Sequence, residues 1–259
     1  MRFGVCGGPE MAETAAVAGY DYFEWGVQAL LKPREPRAAF LDARARAASA
    51  ALPCEACNVF LPADLKIVGP VVDTPAIDTY VRTACERAAE ARLATIVFGS
   101  GGARRIPDGF PRERAMDQIH AFLELAARHA ESAGITIVVE PLRRQECNVL
   151  NTVDECAEVV RKARSPAIRL LVDDYHWAHN GETAASIEQQ APLFRHMHVS
   201  TKPNRRTPAA EPCPDLEAFL ATVRKIGYGG RISIEASIQN PAAELPAALR
   251  LMKEQLGIV

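Results

Sequence analysis

Acidic and imidazole side chains stand at the ends of four consecutive apolar runs in the second half of the chain. The runs ITIVVE, IRLLVD and RISIE close on Glu140, Asp173 and Glu235, and the run HMHVS carries His196 and His198. A buried carboxylate is costly unless it is paired with a cation or bound to a metal. Groups of this kind at four successive run ends therefore predict a site with three carboxylates and one imidazole.

Such a site is hard and donates mostly oxygen, so it suits Mn²⁺, Mg²⁺ or Co²⁺ better than a structural zinc ion. Each residue also has a simpler interpretation. A glutamate at a strand end can be solvated or ion-paired, and Asp173 with Asp174 can cap a helix. One of His196 and His198 can be a hydrogen-bonded core residue. The four groups together favour the metal site.

Eight short runs, several of them almost continuously apolar, are typical of parallel strands buried on both faces. They cover Arg2–Gly7, Tyr22–Trp25, Leu52–Phe60, Thr95–Gly99, Ile135–Glu140, Ile168–Asp173, His196–Ser200 and Arg231–Glu235. Amphipathic stretches between these runs predict helices. The helices are expected over Thr74–Ala94, Arg112–Ala133, Asn151–Ala163, Pro214–Ile226 and Pro241–Leu256.

Eight strand–helix units of roughly 32 residues each match the size of a (β/α)8 barrel. The sequence shows no linker and no shift in composition, which predicts a single α/β domain, a (β/α)8 TIM barrel, over residues 1–259. The reacting groups of such a barrel lie at the C-terminal ends of its strands, so the four run ends would meet at one mouth. An open, doubly wound sheet remains an alternative, because counting strands does not show closure.

The composition argues against several partners. There are 30 Lys and Arg against 32 Asp and Glu, a net charge of −2, so no basic surface is expected for nucleic acid. No apolar run approaches the ~20 residues that span a bilayer, and the N-terminus lacks the apolar segment of a secretory signal. We therefore expect no membrane partner. The seven cysteines are scattered and odd in number, which predicts reduced thiols and a cytoplasmic location.

Other motifs are less specific. Cys54 and Cys57 form a C-x-x-C pair without a second pair at zinc-finger spacing, so core cysteines are the better interpretation. The glycines of Gly99–Gly102 follow a strand and fit a tight turn better than a phosphate loop. Arg205 lies seven residues beyond His198 and can reach over the same mouth, although a solvated surface position is nearly as good an interpretation.

These segments resemble a known family. The segment EPLRRQECNVLNT from Glu140 to Thr152 is similar to the EPLNR-x-E-x-x-x-LNT segment of xylose-isomerase-like sugar isomerases and epimerases, the D-tagatose/D-psicose 3-epimerase group. The segment DDYH that begins at Asp173 resembles their D-x-x-H. The H-x-H of His198 followed by NRR resembles their strand-7 motif, and Glu235 matches their strand-8 glutamate. The matched motifs run from Glu140 to Glu235 in the family's order.

The resemblance implies a metal held by Glu140, Asp173, His198 and Glu235. It also implies that Glu146, His176 and Arg205 contact the hydroxyl groups of the substrate. Two departures from the family pattern bear on the substrate: Arg143 replaces an asparagine, and the loop after strand 7 is one residue longer and lacks a glutamate. That extra residue leaves the choice between Arg205 and Arg206 open.

The predicted reaction is proton abstraction next to a ketone of a sugar, through a metal-stabilised enediolate. Glu140 and Glu235 would remove the proton and return one, giving a ketose epimerase or an aldose–ketose isomerase. A hydroxypyruvate-type isomerase or an inosose-type dehydratase is the alternative. An endonuclease IV-like DNA repair enzyme is a remote alternative, because it would need more histidines. The resemblance also suggests a homo-oligomer, a dimer or tetramer.

Overall fold

Eight parallel strands close into a barrel in the computed structural model, which describes residues 1–258. Each strand pairs with the next along the chain, and the first strand pairs also with the last. The strands are β1 (Arg2–Cys6), β2 (Tyr22–Gly26), β3 (Cys54–Asn58), β4 (Thr95–Phe98), β5 (Thr136–Val139), β6 (Ile168–Asp173), β7 (Phe194–Val199) and β8 (Arg231–Ile234). The predicted (β/α)8 TIM-barrel fold is thereby confirmed, and the open sheet is excluded. That residues 1–259 form one domain stays a prediction.

Helices follow the strands and cover the outside of the barrel. They are α1 (Pro9–Ala18), α2 (Val27–Leu30), α3 (Arg37–Ala48), α4 (Thr74–Glu90), α5 (Gly101–Arg104), α6 (Arg112–Ala133), α7 (Val153–Ala163), α8 (Asp174–His179), α9 (Ala184–Gln190), α10 (Pro214–Lys225) and α11 (Pro241–Leu256). Among the described residues, none of these helices combines the length and the apolar character needed to cross a membrane.

The structure shortens some of the predicted elements, and the backbone shows why. The third strand stops at Asn58 instead of Phe60, because Val59 has a positive φ of 52° that breaks the extended conformation. Helix α4 stops at Glu90 instead of Ala94, since Arg92 also has a positive φ. Helix α7 begins at Val153, one residue after the Thr152 cap, whose hydroxyl accepts a hydrogen bond from the Glu155 amide.

The inside of the barrel has two unlike sides. Val97, Val138 and Leu171 on β4, β5 and β6 form a small buried cluster apart from the main core, which we call the apolar plug. Tyr22, Glu24, His196, His198 and Ser233 on β2, β7 and β8 are also buried and are joined by hydrogen bonds. We call this second group the buried polar network. Residues two apart on a strand share a face, so the apolar plug lies one layer below the strand ends. His196 and Ser233 of the buried polar network lie in the same lower layer, whereas His198 lies in the layer above it.

Candidate active site

Four side chains from the ends of β5, β6, β7 and β8 meet at the mouth of the barrel. Each offers one ligand atom, and these atoms all lie within 4.8 Å of one another. We call this group the ligand cluster; its members are Glu140, Asp173, His198 and Glu235. The first three are buried, with at most 6% of each residue exposed to solvent. The structure thus brings together the four residues that the sequence singles out.

Two buried atoms of the ligand cluster have no hydrogen-bond partner among the described residues. They are Glu140 Oε1 and His198 Nδ1. His198 Nδ1 lies 3.5 Å from Glu140 Oε1 and 3.3 Å from Glu235 Oε2. Buried polar atoms are normally paired, so unpartnered ligand atoms that face each other fit a metal cation between them. The donor set of three carboxylates and one imidazole therefore fits a divalent metal.

The Glu140 carboxylate is placed by a glycine and by a buried arginine. Its Oε2 lies 2.1 Å from where a Cβ on Gly99 would stand, so only glycine leaves room for it. Arg104 is fully buried and donates hydrogen bonds to the carbonyls of Phe98, Glu140 and Leu150, at 3.1, 2.7 and 3.2 Å. These bonds hold the end of β4, the backbone at Glu140 and the backbone at Leu150 together. The arginine at position 104 is thus a structural residue and not a surface cation.

Arg205, and not Arg206, faces the ligand cluster. Its Nη2 donates to Glu235 Oε2 at 2.6 Å and lies 3.3 Å from Asp173 Oδ2. The backbone at Arg205 has a positive φ of 49°, and its carbonyl accepts a hydrogen bond from the Ser237 amide at 2.7 Å. Arg206 turns the other way and pairs with Glu244. The loop after β7 therefore separates the two arginines, which the sequence leaves open.

Charges within the ligand cluster drive its pKa values apart. Burial raises the pKa of Asp173 to about 7, with the Glu235 carboxylate adding to the rise and Arg205 opposing it. Burial by itself would raise the pKa of Glu235. The His198 imidazole and the Arg205 guanidinium stabilise the Glu235 anion, and together they lower its pKa below the usual value. Burial opposes a charge on His198, yet the neighbouring carboxylates raise its pKa well above the usual value. Glu235 is thus held ionised in the folded protein.

The three predicted substrate contacts lie together at the rim. His176 is buried, with its Nε2 3.7 Å from Asp173 Oδ2. Burial lowers the pKa of His176 to about 3, so its imidazole is neutral near pH 7. Glu146 Oε1 accepts a hydrogen bond from Arg143 Nε at 2.7 Å and lies 3.8 Å from Arg205 Nη1. Polar groups of this kind can bind sugar hydroxyls from one side.

Arg143, one of the two departures from the family pattern, also lies at this rim. Its guanidinium and that of Arg205 lie over the Tyr175 ring, at 4.8 and 4.7 Å from the ring centroid. Both arginines thereby flank Glu146, whose carboxylate offsets part of their charge. The substitution therefore adds a cation beside the site without placing it inside the ligand cluster.

Sequence reasoning missed two residues that touch the ligand cluster. Asn58, at the end of β3, donates from Nδ2 to Glu235 Oε1 at 3.3 Å. Glu24, in the middle of β2, lies below the cluster and accepts a hydrogen bond from His198 Nε2 at 3.1 Å. A signal for Glu24 exists, because its carboxylate interrupts the apolar run YFEW with no neighbouring cation in the sequence.

Several known proteins are similar to this chain. The chain is 26% identical over 141 residues to a putative hydroxypyruvate isomerase of Xenopus laevis, which covers 51% of each chain. It is 30% identical over 114 residues to the D-psicose 3-epimerase of Agrobacterium fabrum (strain C58 / ATCC 33970), which covers 44% of this chain and 39% of the relative. The chain therefore spans about half or less of these two curated relatives.

The fold extends over almost the whole chain of a solved structure, a D-allulose 3-epimerase from Methylomonas sp. in complex with D-allulose. The TM-score is 0.83 at 19% identity, and the match covers 98% of this chain and 97% of the other. At that identity the likeness concerns the fold. The model of one family, described as xylose isomerase-like TIM barrel, matches residues 12–255. This match confirms the resemblance found in the sequence, and the chain belongs to the xylose isomerase-like TIM barrel family.

Proposed function

We propose that the protein is a metal-dependent isomerase of sugars, a ketose epimerase that moves a proton on the carbon next to a carbonyl. One observation carries the proposal: two carboxylates that follow different strands, Glu140 directly after β5 and Glu235 directly after β8, share one cluster with Asp173 and His198. The family and the names of the two curated relatives, an epimerase and a putative isomerase, support the same class of reaction.

The ligand cluster would hold the metal through Glu140, Asp173, His198 and Glu235. Its hard donor set favours Mn²⁺, Mg²⁺ or Co²⁺. When bound, such an ion supplies Lewis-acid stabilisation of the negative charge that develops on the substrate oxygens.

We assign the role of base to Glu235, which is ionised, and the delivery of the proton to Glu140. Its Oε2 is held ionised beside Arg205 and His198, and its Oε1 accepts a hydrogen bond from Asn58. The proton leaves the substrate carbon to Glu235, and Glu140 delivers a proton to that carbon. Because the two carboxylates project from different strands, delivery from the opposite side inverts the carbon centre.

The rim residues bind and orient the sugar. The Glu146 carboxylate would accept hydrogen bonds from hydroxyl groups, and the neutral His176 imidazole would accept or donate one. Arg205 would donate to an oxygen near the reacting carbon. Contacts of this kind fix the face of the carbon that meets each carboxylate, and orientation contributes a large part of a rate enhancement.

A hydroxypyruvate-type isomerase is the second candidate, and Arg143 favours it. A guanidinium at the rim suits the carboxylate of such a substrate, whereas the family's asparagine would not. In that reaction one carboxylate would return the proton to the neighbouring carbon, so the product would be an isomer and not an epimer.

Proton exchange with solvent distinguishes the two candidates. A panel of ketoses and hydroxypyruvate is incubated with the Mn²⁺-supplemented protein in deuterated water, and the label is located by NMR after removal of the ion. Deuterium at C3 of a ketose supports the epimerase. Deuterium at C1 of a ketose, or exchange in hydroxypyruvate alone, supports the isomerase. No exchange in any compound of the panel would contradict the proposal.

Substitution of either carboxylate tests their roles. We expect Glu140→Gln and Glu235→Gln each to lower turnover by at least ~10²-fold, because a carboxamide cannot take up a proton. Glu188→Gln is the matched control, since Glu188 pairs with Lys225 on the outer surface. Steady-state rates near the wild-type value in either barrel variant would refute the assignment.

A further inference from the structure

The carboxylate of Glu24 is fully buried inside the barrel and is surrounded by hydrogen-bond donors. Its Oε1 accepts from His198 Nε2 at 3.1 Å, and its Oε2 accepts from His196 Nε2 at 2.8 Å and from Ser233 Oγ at 2.7 Å. The Tyr22 hydroxyl lies 2.8 Å from Ser233 Oγ and completes the group. Neither the ligand cluster nor the rim contacts account for this carboxylate.

Stability alone does not explain why a charge is buried here. Replacing a buried ion pair with well-packed apolar residues is often neutral or stabilising. The same barrel fills its other side with Val97, Val138 and Leu171, all of them buried. Aliphatic side chains therefore suffice to pack this interior, and a charged residue on β2 calls for a further reason.

The two ring nitrogens of His198 face different groups. Nε2 faces Glu24, and Nδ1 faces Glu140 and Glu235, in the ligand cluster. A carboxylate only accepts hydrogen bonds, so Nε2 must carry a proton to pair with Glu24. In a neutral imidazole the lone pair then lies on Nδ1, the nitrogen that points at the other ligands.

We propose that Glu24 is a positioning residue: its hydrogen bond to His198 Nε2 fixes the ring orientation and the tautomer that turn Nδ1 into a metal ligand. The proposal rests on the metal site of the proposed function. Partners of this kind, behind a metal-binding histidine, typically change metal affinity 10- to 100-fold when they are removed.

The rest of the buried polar network holds Glu24 in place. His196 and Ser233 both donate to Oε2, which leaves Oε1 for His198. The two imidazole rings stand almost perpendicular, with 5.0 Å between centroids and an interplanar angle of 82°, so each reaches a different oxygen. Gly4 makes room for Tyr22, because a Cβ at Gly4 would lie 2.3 Å from the Tyr22 ring. The network thus sets the direction of the Glu24 carboxylate.

The test is metal affinity in Glu24→Gln, measured by a Mn²⁺ titration followed by electron paramagnetic resonance. A carboxamide offers one oxygen to two imidazole donors and turns its NH₂ group toward one of them. We expect Mn²⁺ to bind about 10- to 100-fold more weakly than in wild type. Glu182→Gln is the matched control, because Glu182 is a half-buried carboxylate that accepts from the Val153 amide, outside the barrel interior. Its Mn²⁺ affinity is expected to equal that of wild type.

A second measurement does not depend on whether the variant folds. In wild-type protein loaded with diamagnetic Mg²⁺, ¹⁵N NMR of the histidines is expected to show a protonated Nε2 and an unprotonated Nδ1 for His198.

Ser233→Ala removes one donor to Glu24 and is expected to weaken Mn²⁺ binding less than Glu24→Gln does.

The outcomes separate this proposal from the function on which it rests. If wild-type protein binds no divalent ion, the metal site fails, and the role of Glu24 fails with it. If wild type binds Mn²⁺ and Glu24→Gln binds it equally well, only the role of Glu24 is overturned. Two ions per chain with an unprotonated Nε2 would also overturn it, because Glu24, His198 and Cys6 would then be ligands of a second ion.

Discussion

Glu140 reaches the ligand cluster by passing directly over the backbone of Gly99. A Cβ at that position would lie 2.1 Å from Glu140 Oε2, which is closer than a Cβ comes to a non-bonded atom in a folded protein. The Glu140 backbone is fixed by Arg104, so the carboxylate and not the strand would have to move. The position of one ligand therefore depends on the absence of a side chain on the neighbouring strand.

Gly99→Ala tests this close approach. We expect the added methyl group to displace the Glu140 carboxylate by about an ångström and to lower turnover about 10²-fold, because small misplacements of catalytic groups are costly. Mn²⁺ affinity should fall as well. Gly229→Ala is the control, since a Cβ there meets no described atom within 4 Å. Unchanged turnover and affinity in Gly99→Ala would show that the carboxylate has another stable position.

The proximity of the side chains in the ligand cluster was predictable from the sequence, but the residues that hold them in place were not. Glu140, Asp173 and Glu235 end apolar runs, and the C-terminal ends of parallel strands share one edge, so their proximity follows from the pattern. Glu24 lies within a run, and its partner His198 is 174 positions away. Arg205 and Arg206 are equivalent in sequence, and only the positive φ at Arg205 sends them to opposite sides.

The N-terminus of helix α7 is hydrogen-bonded to a carboxylate from a later part of the chain. Glu182 Oε2 accepts a hydrogen bond from the amide of Val153, the first residue of the helix, at 2.9 Å. Glu182 Oε1 is buried without a partner among the described residues. Burial raises the pKa of Glu182 from 4.5 to about 7. The folded state thus holds the Glu182 proton more tightly than the unfolded chain does.

The stability that this proton contributes should depend on pH. It is fully present below about pH 4.5 and is lost as the pH rises through about 7, because the folded state then has to bury the anion. Glu182→Gln cannot ionise, so it does not lose this stability. As the pH rises across this window, the free energy of unfolding of the variant should increase relative to that of wild type by on the order of 1 kcal/mol. Urea unfolding of both proteins at pH 4.5, 6 and 8 measures this difference. A constant difference across the three pH values would contradict the shift.

Long elements were easier to predict than short ones. Helix α6, Arg112–Ala133, and helix α11, Pro241–Leu256, match their predicted bounds, because an amphipathic pattern over several turns is unambiguous. Helices α2 and α5 have four residues each, too few for a periodic pattern. They form because the barrel fixes the loops that contain them, and the local sequence does not predict this tertiary effect.

At the scale of the whole molecule, metal binding and folding should be linked. A ligand that binds only the folded state stabilises it, by about 2.7 kcal/mol at a concentration 100 times the Kd. For a protein of this size that corresponds to a rise in Tm of roughly 5–10 °C. We expect Mn²⁺ to raise Tm by this amount in differential scanning fluorimetry, and EDTA to reverse the change.

Asp173→Asn is the matched variant, since it removes one ligand charge and keeps the shape of the side chain. Its Tm should respond much less to Mn²⁺. An equal response in the variant would place the ion elsewhere on the protein, and no response in wild type would argue against the metal site.

The number of strands was predictable, whereas their closure was not. Eight apolar runs in 259 residues indicate the repeat, but the hydrogen bonds between β1 and β8 that close the barrel join the two ends of the chain. Such contacts leave no local pattern. The same holds for the buried polar network, which joins β2 to β7 and β8 and forms only once the barrel is closed.

The two unlike sides of the barrel interior have a consequence for the direction of catalysis. Val138 and Leu171 lie two residues before Glu140 and Asp173, so the layer below this half of the site is apolar. Ser233 lies two residues before Glu235, so the layer below Glu235 is polar. Under the proposed function, Glu140 and Glu235 would therefore act in different local media. Under the proposed mechanism, epimerisation in one direction and its reversal would begin on different carboxylates, so the pH profiles of kcat would differ between the two directions.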